Sequence, residues 1–211
     1  MLNPTGIGSS PVSFGPQHIG AGLVDRRNWL LSALSNWDQF YGASCKDSVP
    51  EDETFSSRLL YHLAHLSLSV SFSDLHLVAG RSGSEEDIHL AEESLSNWMQ
   101  RERPEKVLDH TIKMLELAHR ALSLDAAPSC SFELSVCLFT GGLICWTVCR
   151  LQEKLLAEHD GDLHPQQMEG QVQISGLIEH VRQASQALQK MGCWRLSSTF
   201  GYILKKFSDR S

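Results

Sequence analysis

Two histidines, His62 and His65, stand three residues apart in a helix-like stretch. That spacing places both on one helical face, where they could share a ligand. Helical zinc proteases use His-Glu-x-x-His, with the Glu as general base. Here the spacing is one residue short and the Glu is missing. Structural zinc also needs four convergent ligands, so a hydrogen-bonded packing histidine is the simpler reading. His76, on the same stretch, is read the same way. Cys137, Cys145 and Cys149 form a second candidate, with Cys145 and Cys149 four apart on one face. No Cys-x-x-Cys pair occurs in the chain. Free cysteines in an apolar setting behave as small buried hydrophobes. Glu85, Glu86 and Asp87 form a lone acidic cluster. A cluster at a helix start complements the helix dipole, and a solvated helix start is the expected role. General acid–base chemistry would require the fold to bring titratable groups together in a pocket; His62, His65, His110 and His119 are the residues that would have to meet.

The elements that must position these residues read as helices throughout. The most apolar run, from Phe132 to Cys149, leaves almost no polar face. A helix apolar all round is a core helix or a membrane span, and a span needs about 20 apolar residues. This run falls short, between Glu133 and Arg150, so a buried central helix is expected, continuing to about Glu158. Gly141 and Gly142 inside it cost roughly 1 kcal/mol each against Ala. That cost is tolerable where a neighbouring helix must come close.

Other apolar residues recur at three- and four-residue steps. Trp29, Leu30, Ala33, Leu34, Trp37 and Phe40 mark a helix over 24–41, ended by Gly42. Leu59, Leu63, Leu66, Val70 and Leu77 mark one long helix over 54–79, stopped at Gly80. Within it Ser67, Ser69, Ser71 and Ser73 alternate with apolar residues, which also fits a strand. Further helices are expected over 84–100, from Pro104 to about Leu122, over 172–191, and over 194–207. The expected fold class is all-α, an irregular multi-helix bundle around a buried central helix. Residues 1–23 read as a flexible Gly/Pro/Ser-rich leader, 24–207 as one helical domain and 208–211 as a tail.

With 18 Lys and Arg against 25 Asp and Glu, the net charge is −7. The chain as a whole is therefore no electrostatic match for nucleic acid. Lys205, Lys206 and Arg210 make a solvated end, not a phosphate grip. Six cysteines without paired spacing do not form a disulfide framework, which suggests a reducing compartment. No basic start and apolar core of a secretory signal is present at the N-terminus.

Four sets of residues together resemble a known family. Tyr61-His62 with Leu66, Leu68, Asp74 to Leu77 and Gly80 is the first. Trp98 followed by His110 is the second, and Trp146 in the apolar run is the third. The last is Met191-Gly192-Cys193-Trp194-Arg195-Leu196-Ser197-Ser198. In this order and spacing they resemble the C-terminal half of the fungal-specific transcription factor domain. That regulatory "middle homology" region occurs in fungal zinc-finger regulators, notably those with two-cysteine two-histidine fingers. The resemblance runs from about Thr54 to Phe207. It implies a nuclear, helical, non-enzymatic domain for transcription regulation, in a chain that is a partial member. It also implies that zinc and DNA binding belong to a separate N-terminal domain, whose finger spacing is not found here. No residue of this chain is therefore nominated as catalytic, cofactor-binding, metal-binding or DNA-binding. Alternatives are a stand-alone helical module that binds protein partners or itself, and a small α-helical enzyme. No membrane association is expected.

Overall fold

A computed structural model describes residues 16–45, 51–81, 83–101, 104–123, 132–158, 174–191 and 195–209. Eight helices follow one another: α1 Pro16–Cys45, α2 Glu51–Ser69, α3 Phe72–Val78, α4 Glu85–Arg101, α5 Pro104–Ser123, α6 Phe132–Glu158, α7 Ile174–Lys190 and α8 Arg195–Ser208. No strand occurs among the described residues. The fold is all-α, arranged around α6.

Helix α6 has no polar face to offer water, so neighbours must cover it on several sides. It packs against α2, α3, α5, α7 and α8, and every residue from Cys137 to Cys149 is buried. By length and composition, Phe132–Leu155 would suffice to cross a membrane. The sequence reading ended the apolar run too early; the helix carries it on through buried Leu151. Yet 83% of its most apolar window lies inside the bundle, as a core helix requires.

The two glycines of α6 explain how the neighbours approach. A Cβ on Gly141 would stand 2.7 Å from Leu115 Cδ2 on α5. One on Gly142 would stand 2.6 Å from Leu204 Cδ1 on α8 and 3.4 Å from the Cβ of Ala184 on α7. Flanking Gly142, Phe139 stacks on Phe200 and Trp146 stacks on Phe207, each pair with ring centroids 3.9 Å apart. Both helices advance seven residues between the two stacks. Helices α6 and α8 therefore run parallel with a heptad-like seam, large rings at its ends and glycine against leucine between them. Helices α7 and α8 meet as closely, at Gly201, whose carbonyl accepts a hydrogen bond from Ser185 Oγ at 2.8 Å.

Two departures from the sequence reading have physical causes. The long helix expected over 54–79 breaks in two. Ser71 takes an extended backbone and its hydroxyl accepts from Asp74 N–H, starting α3 as a helix N-cap. The serine alternation there marks neither strand nor continuous helix but a cap between two helices. Helix α3 stops at Gly80, with φ of 90°. Gly80 N–H donates to the Leu77 carbonyl and Arg81 N–H to the His76 carbonyl, the paired bonds of a Schellman end.

The second departure concerns α1. It begins at Pro16 and passes Gly42 to end at Cys45, a wider span than 24–41. None of its residues from Gly22 to Tyr41 is buried. Arg27, Leu31, Leu34, Trp37 and Tyr41 are half-buried, at steps that form one face, and α1 packs chiefly on α2. Trp29 (69% exposed) and Phe40 (75%) look elsewhere, so the single stripe read from the sequence is two faces, only one of them covered. The 16–23 part of the expected leader is helical; polar residues 43–53 with Pro50 suggest a loop, yet α1 runs through Cys45 and α2 starts at Glu51. Residues 1–15, the middle of that stretch (46–50), the polar stretch 159–170 and the last two residues of the tail lie outside the described residues.

The close approach at Gly201 is testable. A Cβ there would meet Gln189 Cγ at 2.9 Å, the Ser185 carbonyl oxygen at 3.1 Å and Gln189 N at 3.2 Å. Backbone atoms of α7 cannot rotate away, so Gly201→Ala should cost about 1–3 kcal/mol by overpacking. Gly176 on α7 has nothing within 4 Å of its Cβ position, and Gly176→Ala should gain up to about 1 kcal/mol in helix propensity. Urea midpoints that shift alike for both variants would contradict this account.

Candidate functional site

Histidines from two helices meet at the α2–α5 contact. His62 and His65 lie on one face of α2, and His110 comes across from α5. His62 Nδ1 and His110 Nδ1 are 2.9 Å apart, so one ring must donate and the other accept. His65 stacks flat on His110, with centroids 4.3 Å apart and planes 13° from parallel. Tyr61 closes the group edge-on, 4.8 Å from His65 and 5.1 Å from His62. Trp37 of α1 stacks on Tyr61 at 5.4 Å and on Tyr41 at 4.5 Å. This aromatic pile is how α1 is fastened to α2.

Burial is the leading cause of the electrostatics. It lowers the His62 pKa to about 4, assisted by His110, Lys113 and His65 and opposed by Asp109. It also lowers His65, with His110 adding and Asp38 opposing. His110 is lowered by burial too, with Asp109 opposing and Lys113 adding. Burial raises the Tyr61 hydroxyl, helped by Asp38. All three imidazoles are thus held neutral at physiological pH, and the Nδ1–Nδ1 bond needs a neutral ring at its accepting end.

Two hollows flank this knot. One, of about 300 Å³, has the basic residues Arg58, Lys113 and Arg120 with Asp38 and Glu116 around His62 and His110. The other, of about 540 Å³, opens beside His65 and His110 between α1, α2 and α5. Of the four histidines that acid–base chemistry would have to unite, the fold brings three together. His119 is elsewhere on α5, with Nδ1 2.7 Å from the Leu115 carbonyl. Among the described residues, no three His, Cys, Asp or Glu side chains are arranged to hold a metal ion.

The remaining candidates are scattered. His76 sits near Phe139, centroids 5.9 Å apart, its pKa lowered by burial and by Arg81. Cys137, Cys145 and Cys149 are buried in α6. Burial pushes the Cys137 and Cys149 thiols up to about 12, with Glu133 and Glu153 adding respectively, and pushes Cys145 up as well. Such thiols carry no thiolate at neutral pH and are poor nucleophiles. Glu85, Glu86 and Asp87 are exposed at the start of α4, where Asp87 N–H donates to Ser84 Oγ at 3.3 Å. Lys206 lies over the Tyr202 ring at 4.6 Å, and Arg210 is outside the described residues.

Sequence reading missed the charged residues around the knot. The signal was present as periodicity: Arg58, His62, His65 and Ser69 follow at helical steps on α2, and Lys106, His110, Lys113 and Arg120 do so on α5. What it could not give was the pairing of two faces 48 residues apart.

The knot makes stability depend on pH. An unfolded His62 takes a proton near pH 6.5, and the folded one only near pH 4. Between these values the unfolded chain binds more protons, so stability falls as pH drops through that window. With His62 partly open to solvent, its share of the loss is about 1–2 kcal/mol. His62→Gln should remove that share: between pH 7 and pH 4.5 the variant's unfolding free energy, from urea titrations, should fall less steeply than the parent's. Parallel pH profiles would contradict the neutral-knot account. Compared with known protein families, curated proteins and solved structures, the chain matches none.

Proposed function

We propose that this chain is a regulatory domain of a fungal zinc-finger transcription factor, acting in the nucleus through protein contacts. Its own residues do not grip DNA. Zinc and DNA binding would belong to a segment other than these residues. The observation that carries the reading is where the resembling residues fall. Tyr61, His62 and His110 build the α2–α5 knot. Asp74 accepts from Ser94 Oγ at 2.9 Å, fastening α3 to α4. Trp146 anchors the α6–α8 seam, and buried Ser197 meets Ser135 of α6 at 2.8 Å between hydroxyl oxygens. The motif residues thus sit where helices join, and a regulatory bundle whose output is a protein-binding surface needs such joints. Residues 192–194 of the last motif lie outside the described residues.

One observation favours the interaction reading within this proposal. Helix α1 exposes Trp29 and Phe40 along with Leu23 and Val24, and aromatic side chains are enriched at binding surfaces. The enzyme reading is favoured by the meeting of three histidines. Against it, His62 and His110 are engaged with each other and His65 is stacked on His110, an arrangement suited to packing.

Fusing the chain to an unrelated sequence-specific DNA-binding domain tests the proposal. Reporter transcription should change at least several-fold, up or down, relative to the DNA-binding domain alone. Trp29→Ser with Phe40→Ser should reduce that change while leaving the unfolding free energy from urea titration within about 0.5 kcal/mol, as for exposed positions. A reporter indifferent to the fusion would count against the proposal. So would tight, sequence-specific binding of duplex DNA by this chain alone at 0.15 M salt, since basic clusters supply most such affinity.

A further inference from the structure

We infer that the hollow between α1, α2 and α5 is a binding site for a small amphipathic anion: one carboxylate head on an apolar body. The hollow measures about 540 Å³, within the range of small-molecule pockets. Its polar lining is Arg27 and Ser35 from α1, His65 and Ser69 from α2, and Lys106 and His110 from α5. Every one of these can donate a hydrogen bond, and none is a carboxylate. That is a local inversion in a chain whose acidic residues outnumber its basic ones by 25 to 18. The rest of the wall is Leu31, Leu66 and Val107, which suits an apolar body and would waste a bare inorganic anion.

His65 borders the hollow but is only 9% exposed, so an anion there is met chiefly by Lys106 at the rim. Asp38 faces the neighbouring 300 Å³ hollow and also acts on His65 and His110. A carboxylate head is therefore placed toward Lys106, away from it.

The site also has a mechanical consequence. From α1, half-buried Arg27 and Leu31 and exposed Ser35 border the hollow, and α1 buries no residue of its own between Gly22 and Tyr41. An amphipathic anion lying between them and Lys106 would clamp α1 onto the bundle. Ligand binding would then govern how firmly the helix bearing Trp29 and Phe40 is held, through local opening free energy. This inference rests on the hollow and not on the transcriptional reading. Its test uses the purified chain and no reporter, so either can fail without the other.

The probe is 8-anilinonaphthalene-1-sulfonate fluorescence on the whole chain, competed with octanoate, octanol and inorganic phosphate. Octanoate should displace the probe at least tenfold more effectively than octanol or phosphate, and should slow amide hydrogen exchange in residues 24–41. Lys106→Glu, at an exposed rim position, should weaken octanoate at least tenfold, and Lys106→Gln should weaken it less. Lys206→Glu, which borders the separate apolar groove beside Phe200 and Phe207, should change nothing. The inference is overturned if octanol or phosphate competes as well as octanoate, or if octanoate fails to displace the probe. It is equally overturned if Lys106→Glu leaves octanoate affinity within twofold, if Lys206→Glu abolishes the signal, or if exchange in α1 is unchanged.

Discussion

The structure depends on one constraint: α6 is apolar around its whole circumference and must be enclosed. An amphipathic helix can be satisfied by a single partner, but α6 needs five, and no set of side chains fits that many helices around one rod unless some approach at backbone distance. Gly141 admits Leu115 of α5 and Gly142 admits Leu204 of α8. The loss of helix propensity at these glycines is offset by the burial they permit. Fully burying a leucine is worth about 1.5–3 kcal/mol, more than the roughly 1 kcal/mol each glycine costs. Order along the rod follows from the same constraint. Rings stack at Phe139–Phe200 and Trp146–Phe207, and between the stacks Gly142 leaves room for Leu204.

Polar groups near this core are handled by pairing. Glu92 of α4 is 8% exposed, yet it is met by Arg150 at 2.5 Å and Lys154 at 3.1 Å, both from α6. Burial by itself would raise its pKa, but the hydrogen bonds and charges of Lys154 and Arg150 outweigh it and leave the carboxyl below its usual range. Arg150 lies 5.5 Å from the Trp146 ring centroid as well, so the end of the apolar run is where α4 is fastened. The histidine knot solves the same problem without a counter-charge, by keeping its rings neutral. One device holds α4 by attraction; the other holds α2 to α5 by excluding protons.

How much of this was legible in the sequence varied with the range of the interaction. The all-helical class, the central role of Phe132–Cys149 and the reason for Gly141 and Gly142 followed from local apolar periodicity, because a helix's burial demand is written along its own length. The break at Ser71 was half legible: alternating serines signalled that a continuous helix was in doubt, but capping chemistry, not strand formation, resolved it. The two faces of α1 were not legible, since Trp29 and Phe40 fit a helical stripe as well as Leu34 and Trp37 do. Only the position of α2 decides which are covered. The histidine knot was legible as a list of rings and not as a site, because His110 reaches His62 through tertiary packing alone.

Among the described elements, the one with no fully buried residue between Gly22 and Tyr41 lies over a donor-lined hollow. Helix α1 is joined to the bundle chiefly through Trp37 on Tyr61 and a half-buried face, and the space beneath that face is the donor-lined hollow at His65. A loosely seated helix over a donor-lined hollow is a low-stability unit, and such units respond most to a ligand because little else opposes the change. The core around α6, with its stacked rings and backbone-distance contacts, has no comparable freedom. At the inferred site a ligand's effect would fall on α1, while the enclosed α6 is the element least able to move.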